Sequence, residues 1–522
     1  MANKKRITPE RTIPAATAVR AANPPGAILE TTLFVCGAVV MIYEITGARL
    51  LAPHIGTSTY IWTSLIGVIL AALSLGYWLG GRAADRKAEM KVLAGVLFLS
   101  GGAVALTIFA GDYLLSLIAA TSLILQLQSM LAAVLLFAPA AVLLGFVTPY
   151  AVRLKMSSLD DSGRIVGRLY AISTLGSIVG TFLAGFYLLP FVGAGRTLYL
   201  IAGCLLVLGA ILTPFSLGKS RAVVLLLFLG GIGAQEIRAI YLTKTRDLYQ
   251  TDTEYSAVRI FTSQDPGSGR PVRYLSIDPH YIQSRMYLDS DELVSPYTRY
   301  YHLLRHFRPD FSKTLMIGGA GYSFPKDYLR KYPAALIDVV EIDPGMTALA
   351  RRFFRLQDDP RLRIHHQDGR VFLNRADTGS YDAVMMDAFG ALFSVPFQLT
   401  TIEAVRQIHR VLKDDGVVVF NIGGALQGPA SGFFQAELAT YRAVFPQVHV
   451  FRVIAGRGDT ELQNVMLVAC RSDEPISMQS PDPEIAAMLA RRVESVGQAQ
   501  RPVLTDDLAP VEHYNSFAQN LQ

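Results

Sequence analysis

Cysteine is nearly absent from this chain: three residues in 522, none of them in a CxxC or mixed Cys/His spacing. Cys36 and Cys204 fall in apolar runs and Cys470 in a predicted strand, so neither a disulfide framework nor a zinc site is supported. Charge is scarce as well. Charged residues make up 17% of the chain and hydrophobic ones 51%, too apolar for a purely soluble protein and too charged for a purely membrane one. The net charge of +6 is modest, and much of it sits in an N-terminal tail (Lys4, Lys5, Arg6, Arg11, Arg20). That tail reads as a topology signal, and nothing basic enough to grip nucleic acid follows it.

What is present divides into two halves. After the tail (1–26), residues 27–242 read as a polytopic helical region. Residues 250–310 read as a small β-rich region, and 311–522 as alternating strands and helices. Apolar runs of spanning length lie near 27–50, 58–81, 92–111, 128–151, 169–190, 197–214 and 221–241. The first is too long for a signal-peptide core and is expected to be retained. Basic residues cluster in two short loops, Arg82, Arg86, Lys87 and Lys91 in one and Arg153, Lys155, Arg164 and Arg168 in the other. The positive-inside rule places the N-terminus and both loops in the cytoplasm. Seven crossings would leave the C-terminal half outside. The short apolar stretch 112–127, spanning or re-entering as an eighth element, would return it to the cytoplasm, and eight is the expectation. Small residues recur at helix-packing spacing, as in Gly176 with Gly180 and Gly76 with Gly80, where they let backbones approach closely. Glu44 and Arg49 lie in or at the end of the first run, where a charge is costly and calls for a partner or a function.

In the second half, TEYSAVRIFTS and RPVRYLSIDP alternate apolar and polar residues around the turn DPGSGR, which predicts a hairpin. A helix is expected from about Pro296 to Phe307. From Lys313 onward, KTLMIGG, ALIDVVEID, RLRIHHQD, YDAVMMD and GVVVFNI predict successive strands with helices between them, and HVFRVIA and NVMLVAC look like later strands. TTIEAVRQIHRVLKDDG is read as one helix ending in glycine. Such alternation implies a mainly parallel sheet with ligands at the strand C-terminal ends. The chemistry follows from that layout. A glycine turn after the first strand (Gly318, Gly319, Gly321) lets a ligand approach the backbone, though GGAGYS is neither a GxGxxG nor a P-loop. Glu341 ends the second strand, 23 residues after Gly318, where a carboxylate accepts both hydroxyls of a ribose. Asp368, with Gly369 behind it, follows the third strand and is placed to accept from an exocyclic amine. Asp387 follows the fourth, near the reactive end of a bound nucleoside, where a carboxylate can deprotonate an attacking amine or hold it by charge. Asp343, before a proline, is read as structural. His365 and His366 adjoin on a strand, face opposite sides, and form no ligand pair.

The stretches SIDPHYIQS, DSDE with the following Tyr300 and His306, LMIGGAGYS, VVEIDP, QDGRVFL, YDAVMMDAF and PFQLTTIEAVRQIHRVLKDDGVVVFNI resemble the spermidine synthase (polyamine aminopropyltransferase) family. The chain as a whole resembles its membrane-fused members. The resemblance implies a multi-spanning α-helical membrane domain fused to an α/β Rossmann-like, methyltransferase-type domain that a small β-hairpin region precedes. It implies transfer of an aminopropyl group from decarboxylated S-adenosylmethionine to putrescine or a related amine, giving spermidine and methylthioadenosine, with no prosthetic group and no metal. Glu341 would then bind ribose, Asp368 adenine, and Asp387 would accept the proton. Gln283 and Tyr300 match a glutamine and a tyrosine of the family's substrate pocket. The cosubstrate is cytoplasmic, which is why the catalytic half is expected on that side of a cell membrane. Soluble members are commonly dimers, which by analogy allows a homodimer. Three departures keep the acceptor open. The glycine loop carries no acid where the family usually has an aspartate, Tyr255-Ser256 replaces a Tyr-Gln pair, and no second acid follows Asp387 in Ala388-Phe389-Gly390. A methyltransferase using S-adenosylmethionine and a membrane transporter or sensor with a nucleoside- or polyamine-binding domain stand as alternatives, since one fold hosts many functions.

Overall fold

The computed structural model describes residues 26–55, 58–121, 123–156, 162–213, parts of 222–230, 248–277, 282–388, 395–494 and 501–519. Helices α1 (Gly26–Ile55), α2 (Thr59–Arg86), α3 (Met90–Ala119), α4 (Leu125–Leu136), α5 (Ala138–Lys155), α6 (Ser162–Leu183, continued by a π-helical stretch to Val192) and α7 (Ala194–Leu212) form one bundle. Among the described residues, five helices are long and apolar enough to cross a membrane, and a sixth span results if α4 and α5, bent by 54°, count as one. The bend follows Pro139, which sits in the first turn of α5, where a proline begins a new helix more readily than it continues an old one. The expected run at 221–241 lies largely outside the described residues.

Glycine sets how closely the helices approach. A Cβ on Gly176 would collide with the Phe34 carbonyl and one on Gly180 with the Ala38 carbonyl, so α6 lies backbone to backbone on α1. Gly76 and Gly80 bring α2 equally close to Val142 and Phe146 of α5. These are the small residues whose spacing the sequence singles out.

Two sequence expectations are corrected here. The stretch 112–127 makes no span of its own: α3 runs on through Ala119, and α4 begins only at Leu125. The basic loops and the C-terminal half also lie at opposite ends of the bundle. At one end Glu30 pairs with Lys155 and Arg168, while the Tyr150 hydroxyl bonds to the backbone at Lys87 and Glu89. At the other end Arg49 donates to the carbonyl of Glu254, the Thr59 amide donates to Glu512 at 2.9 Å, and the Ala194 amide donates to Asp252 at 2.7 Å. The C-terminal half therefore docks on the α1–α2 hairpin and the start of α7.

That half opens with an antiparallel four-stranded sheet, β1 (Tyr249–Asp252), β2 (Ala257–Gln264), β3 (Pro271–Ser276) and β4 (Ser284–Tyr287), in which β2 and β3 form the expected hairpin. The region 296–307 is broken: α-helix to Tyr300, a 3-10 turn over Tyr301–Leu303, then one further helical turn. A seven-stranded sheet follows, with β5 (Lys313–Ile317), β6 (Leu336–Val340), β7 (Leu362–His365), β8 (Tyr381–Met386), β9 (Leu412–Gly424), β10 (Gln447–Arg452) and β11 (Gln463–Cys470) in the order β10-β11-β9-β8-β5-β6-β7. The five strands from β9 to β7 run parallel, and β11 and β10 add antiparallel partners at one edge. The helix of 402–411 stops at Val411, and Leu412 already pairs with Tyr381. The sheet is buried on both faces, as the near-continuous apolar character of β8 and β9 requires.

The α1–α6 contact gives a direct check. Gly176→Val should destabilise the bundle by about 2 kcal/mol through overpacking against the Phe34 backbone, seen as a lower Tm of the purified protein. An unchanged Tm would show that the helices can separate there without cost.

Candidate active site

The order of strands reverses across β5 and β8: the chain moves outward through β6 and β7 on one side of β5 and through β8 and β9 on the other. Ligands of open α/β sheets sit at this switch point, beyond the strand C-terminal ends. A cavity of about 490 Å³ opens there. It is lined by Gly318, Gly319, Glu341, Asp343, Asp368, Gly369, Gln283 and Asp387, among others.

The glycine turn after β5 is held in an uncommon conformation. Gly318 has φ +99°, and Ala320 and Tyr322 both have positive φ (43° and 53°), which side chains adopt only under surrounding constraint. The constraint comes from β6. Glu341, only 9% exposed, accepts from the amides of Gly319 and Ala320, each at 2.9 Å, through one oxygen and from the Asp343 amide at 3.0 Å through the other. Burial pushes its carboxyl pKa upward, against the pull of these three amides. The Gly321 amide donates to the Ser284 hydroxyl at 2.9 Å, which ties the turn to β4. Gly318 packs so tightly on the Asp387 carbonyl that a Cβ there would collide with it, and the Asp387 amide donates to Ile317 at 2.8 Å.

Asp343 caps the helix of 344–353 by accepting from the Gly345 amide at 2.9 Å, and it also accepts from the Thr253 hydroxyl at 2.5 Å. Asp368 likewise caps the helix of 369–375 through the Val371 amide at 3.0 Å, and its other oxygen accepts from Gln398 at 3.3 Å. Gly369 lets that helix approach Ile317 of β5, whose side chain a Cβ would meet at 2.8 Å.

Asp387 stands at the end of β8. Its carboxylate accepts from Asn421 at 3.3 Å and from the Tyr297 hydroxyl at 3.4 Å. Asn421 is itself oriented by Asn464, which donates to its carbonyl at 3.0 Å. Burial lifts the Asp387 pKa to about 7, while hydrogen bonds from Asn421, Tyr301 and Tyr297 act the other way. A carboxyl poised near neutrality is suited to exchange protons with a substrate.

Gln283 lines the cavity with its side-chain oxygen held by the Ile277 amide at 2.7 Å. Tyr300 does not belong to the site: it is 3% exposed, and its hydroxyl bonds to the Arg452 carbonyl at 2.7 Å. Its neighbour Tyr297 takes the place at the cavity wall that the sequence assigned to Tyr300. Sequence reasoning also missed Asn421, although a lone amide inside the apolar run GVVVFNI was a readable signal. It missed Gln398, and it missed Ala48, Arg49, Ala52, Ile61 and Trp62 of the helical bundle, all of which line the same cavity. No group of three or more metal-ligating side chains exists among the described residues.

Residues 298–454 match the family model described as the spermine/spermidine synthase domain. A polyamine aminopropyltransferase of Pyrobaculum calidifontis is 30% identical over 212 residues, covering 38% of this chain and 68% of that one. One from Vibrio vulnificus is 27% identical over 237 residues, covering 45% and 76%. Polyamine aminopropyltransferase 1 of Streptomyces coelicolor is 25% identical over 429 residues, 77% of each chain, so that alignment reaches well into the helical bundle.

Gly318→Ala should displace the β8 end, because its methyl group has no room beside the Asp387 carbonyl and its φ is unfavourable. We expect a loss of about 1–3 kcal/mol in stability, measured by thermal unfolding. Wild-type stability in this variant would show that the turn and β8 are not in the tight contact described.

Proposed function

The chain belongs to the spermine/spermidine synthase family, and from that premise we propose that its cavity binds decarboxylated S-adenosylmethionine and passes the aminopropyl group to an amine, releasing methylthioadenosine. The protein is an aminopropyltransferase. One observation carries the residue-level reading: Asp387 sits beside the glycine turn with its pKa raised to about 7 by burial, in the same cavity as the carboxylates of Glu341 and Asp368.

In this reading Glu341 accepts the ribose hydroxyls at the end of β6, and Asp368 accepts from the adenine amine at the end of β7. Gly318 and Gly319 give the nucleoside access to the backbone, and Gln283 lines the reacting end. The acceptor nitrogen attacks the propyl carbon bound to the sulfonium. The C–S bond breaks, its electron pair stays on sulfur, and a neutral thioether leaves without needing an acid. The nitrogen's excess proton passes to Asp387. The site's contribution is alignment of nitrogen, carbon and sulfur together with removal of that proton.

Asp387→Asn should lower kcat by about a hundredfold or more while methylthioadenosine still binds, with product release and calorimetry as the two measurements. In the wild type, kcat/KM should rise with pH through about 7, because Asp387 takes the proton only when ionised. Asn421→Leu removes a hydrogen bond that favours the carboxylate and should move this limb to higher pH. Release of S-adenosylhomocysteine from S-adenosylmethionine would instead favour a methyltransferase.

The bundle is proposed to be a membrane domain. Large apolar side chains such as Leu70, Phe109, Phe182 and Phe186 are exposed on it, a surface suited to lipid. Its charge is lopsided. Arg82, Arg86, Lys87, Lys91, Arg153, Lys155, Arg164 and Arg168 gather at the end away from the catalytic domain, against Arg49 and Arg196 at the near end. With the basic end in the cytoplasm the catalytic domain faces the other compartment, whereas a cytoplasmic cosubstrate calls for the opposite orientation. A membrane-impermeant maleimide applied to intact cells should label Asp358→Cys and spare Asp85→Cys. The reverse pattern would return the catalytic domain to the cytoplasm.

A further inference from the structure

The cavity has a wall that an isolated catalytic domain would lack. Ala48, Arg49 and Ala52 at the end of α1 and Ile61 and Trp62 at the start of α2 face the same space as Glu341 and Asp387. This wall is fixed in place by the Arg49 bond to Glu254 and the Thr59 bond to Glu512, which span the strand ends from the β1–β2 connection to the C-terminal helix of 511–519. Of its five side chains four are apolar and the fifth is a cation.

Among the described residues, the carboxylates that line the cavity are Glu341, Asp343, Asp368 and Asp387. Glu341 is bonded to three backbone amides of its own turn, and Asp343 and Asp368 are occupied by helix caps and by Thr253 and Gln398. In the proposed reading Glu341 and Asp368 face the nucleoside, and Asp387, which accepts from Asn421 and Tyr297, meets the incoming amine. A diamine dication would bring its second ammonium against the bundle wall, whose side chains at Ala48, Ala52, Ile61 and Trp62 are apolar and at Arg49 cationic. Leaving a desolvated ammonium unpaired costs several kcal/mol. An uncharged chain bears no such cost and gains by covering Ile61 and Trp62.

Resting on the aminopropyl-transfer reading, we propose that the α1–α2 hairpin is the outer wall of the acceptor site and that it selects a primary amine carrying an apolar chain. The amine end reaches Asp387 and the chain lies against Ala52, Ile61 and Trp62. The reaction is balanced as for any amine: the N–C bond forms, the C–S bond breaks, sulfur keeps the electron pair, and one proton leaves nitrogen for Asp387. The product is an N-alkyl diaminopropane.

The test uses the full-length protein in detergent with decarboxylated S-adenosylmethionine and putrescine, butylamine or octylamine, reading methylthioadenosine. We expect kcat/KM for octylamine to exceed that for putrescine by about tenfold or more, and Trp62→Ala to narrow that ratio by about tenfold. A second readout is independent of turnover. The chain has two tryptophans, Trp62 and Trp78. In a Trp78→Phe protein the remaining indole should shift its emission to shorter wavelength when octylamine binds beside methylthioadenosine. Preference for putrescine over both alkylamines, or an emission unmoved by octylamine, would overturn the proposal while leaving aminopropyl transfer intact. Absence of methylthioadenosine with every amine would overturn aminopropyl transfer itself, and this inference with it.

Discussion

The pairing of β5 with β8 is the constraint on which the site depends. It places Gly318 against the Asp387 carbonyl with no room for a side chain, and the Asp387 amide closes the contact by bonding to Ile317. The carboxylate of Asp387 is thereby set beside a turn whose own shape is dictated by Glu341. Each half holds the other: the turn needs Glu341 to satisfy its amides in a positive-φ conformation, and Glu341 needs those amides to be tolerated where it is buried. A ligand that bonded to Glu341 would share it with these amides, so on the proposed reading nucleoside binding and the shape of the glycine turn are coupled.

The strands of the catalytic half were legible because a parallel sheet buried on both faces writes itself as uninterrupted apolar runs, and each acid at a run's end marks the rim of the sheet. Glu341, Asp368 and Asp387 stand together for that reason. Tyr300 was misassigned because three tyrosines at 297, 300 and 301 straddle a change from α-helix to 3-10 turn, which alters which side chain faces the cavity. The end of the helix at Val411 was hidden in a polar stretch, LKDDG, that carries no period of its own. In the bundle, helix-packing glycines were readable from spacing alone. The break between α4 and α5 could have been found at Pro139, and the extent of α3 could not, because an apolar stretch bears no mark of where one helix stops.

The contact between bundle and catalytic domain was invisible for a different reason. Arg49 bonds to a residue 205 positions away and Thr59 to one 453 positions away, and no local pattern encodes such a meeting. What the sequence did offer was Arg49 itself, a charge at the end of an apolar run that needed an explanation. Its explanation is a backbone carbonyl of the other domain, and the consequence is that the end of the first helix is brought to the catalytic cavity.

That consequence bears on the chemistry of Asp387. Its raised pKa comes from burial, and Ala48, Arg49, Ala52, Ile61 and Trp62 of the helical bundle line a wall of the cavity it faces. Removal of that wall would admit solvent, let the carboxylate ionise more easily, and weaken it as a base at the same time as it removed apolar surface for the acceptor. On the readings proposed above, proton transfer and acceptor choice are tied to one structural element. This gives the fusion of a membrane-type bundle to a nucleoside-binding sheet a physical purpose at the level of the site: the bundle contributes the low-dielectric side of a pocket whose polar side is supplied by the strand ends.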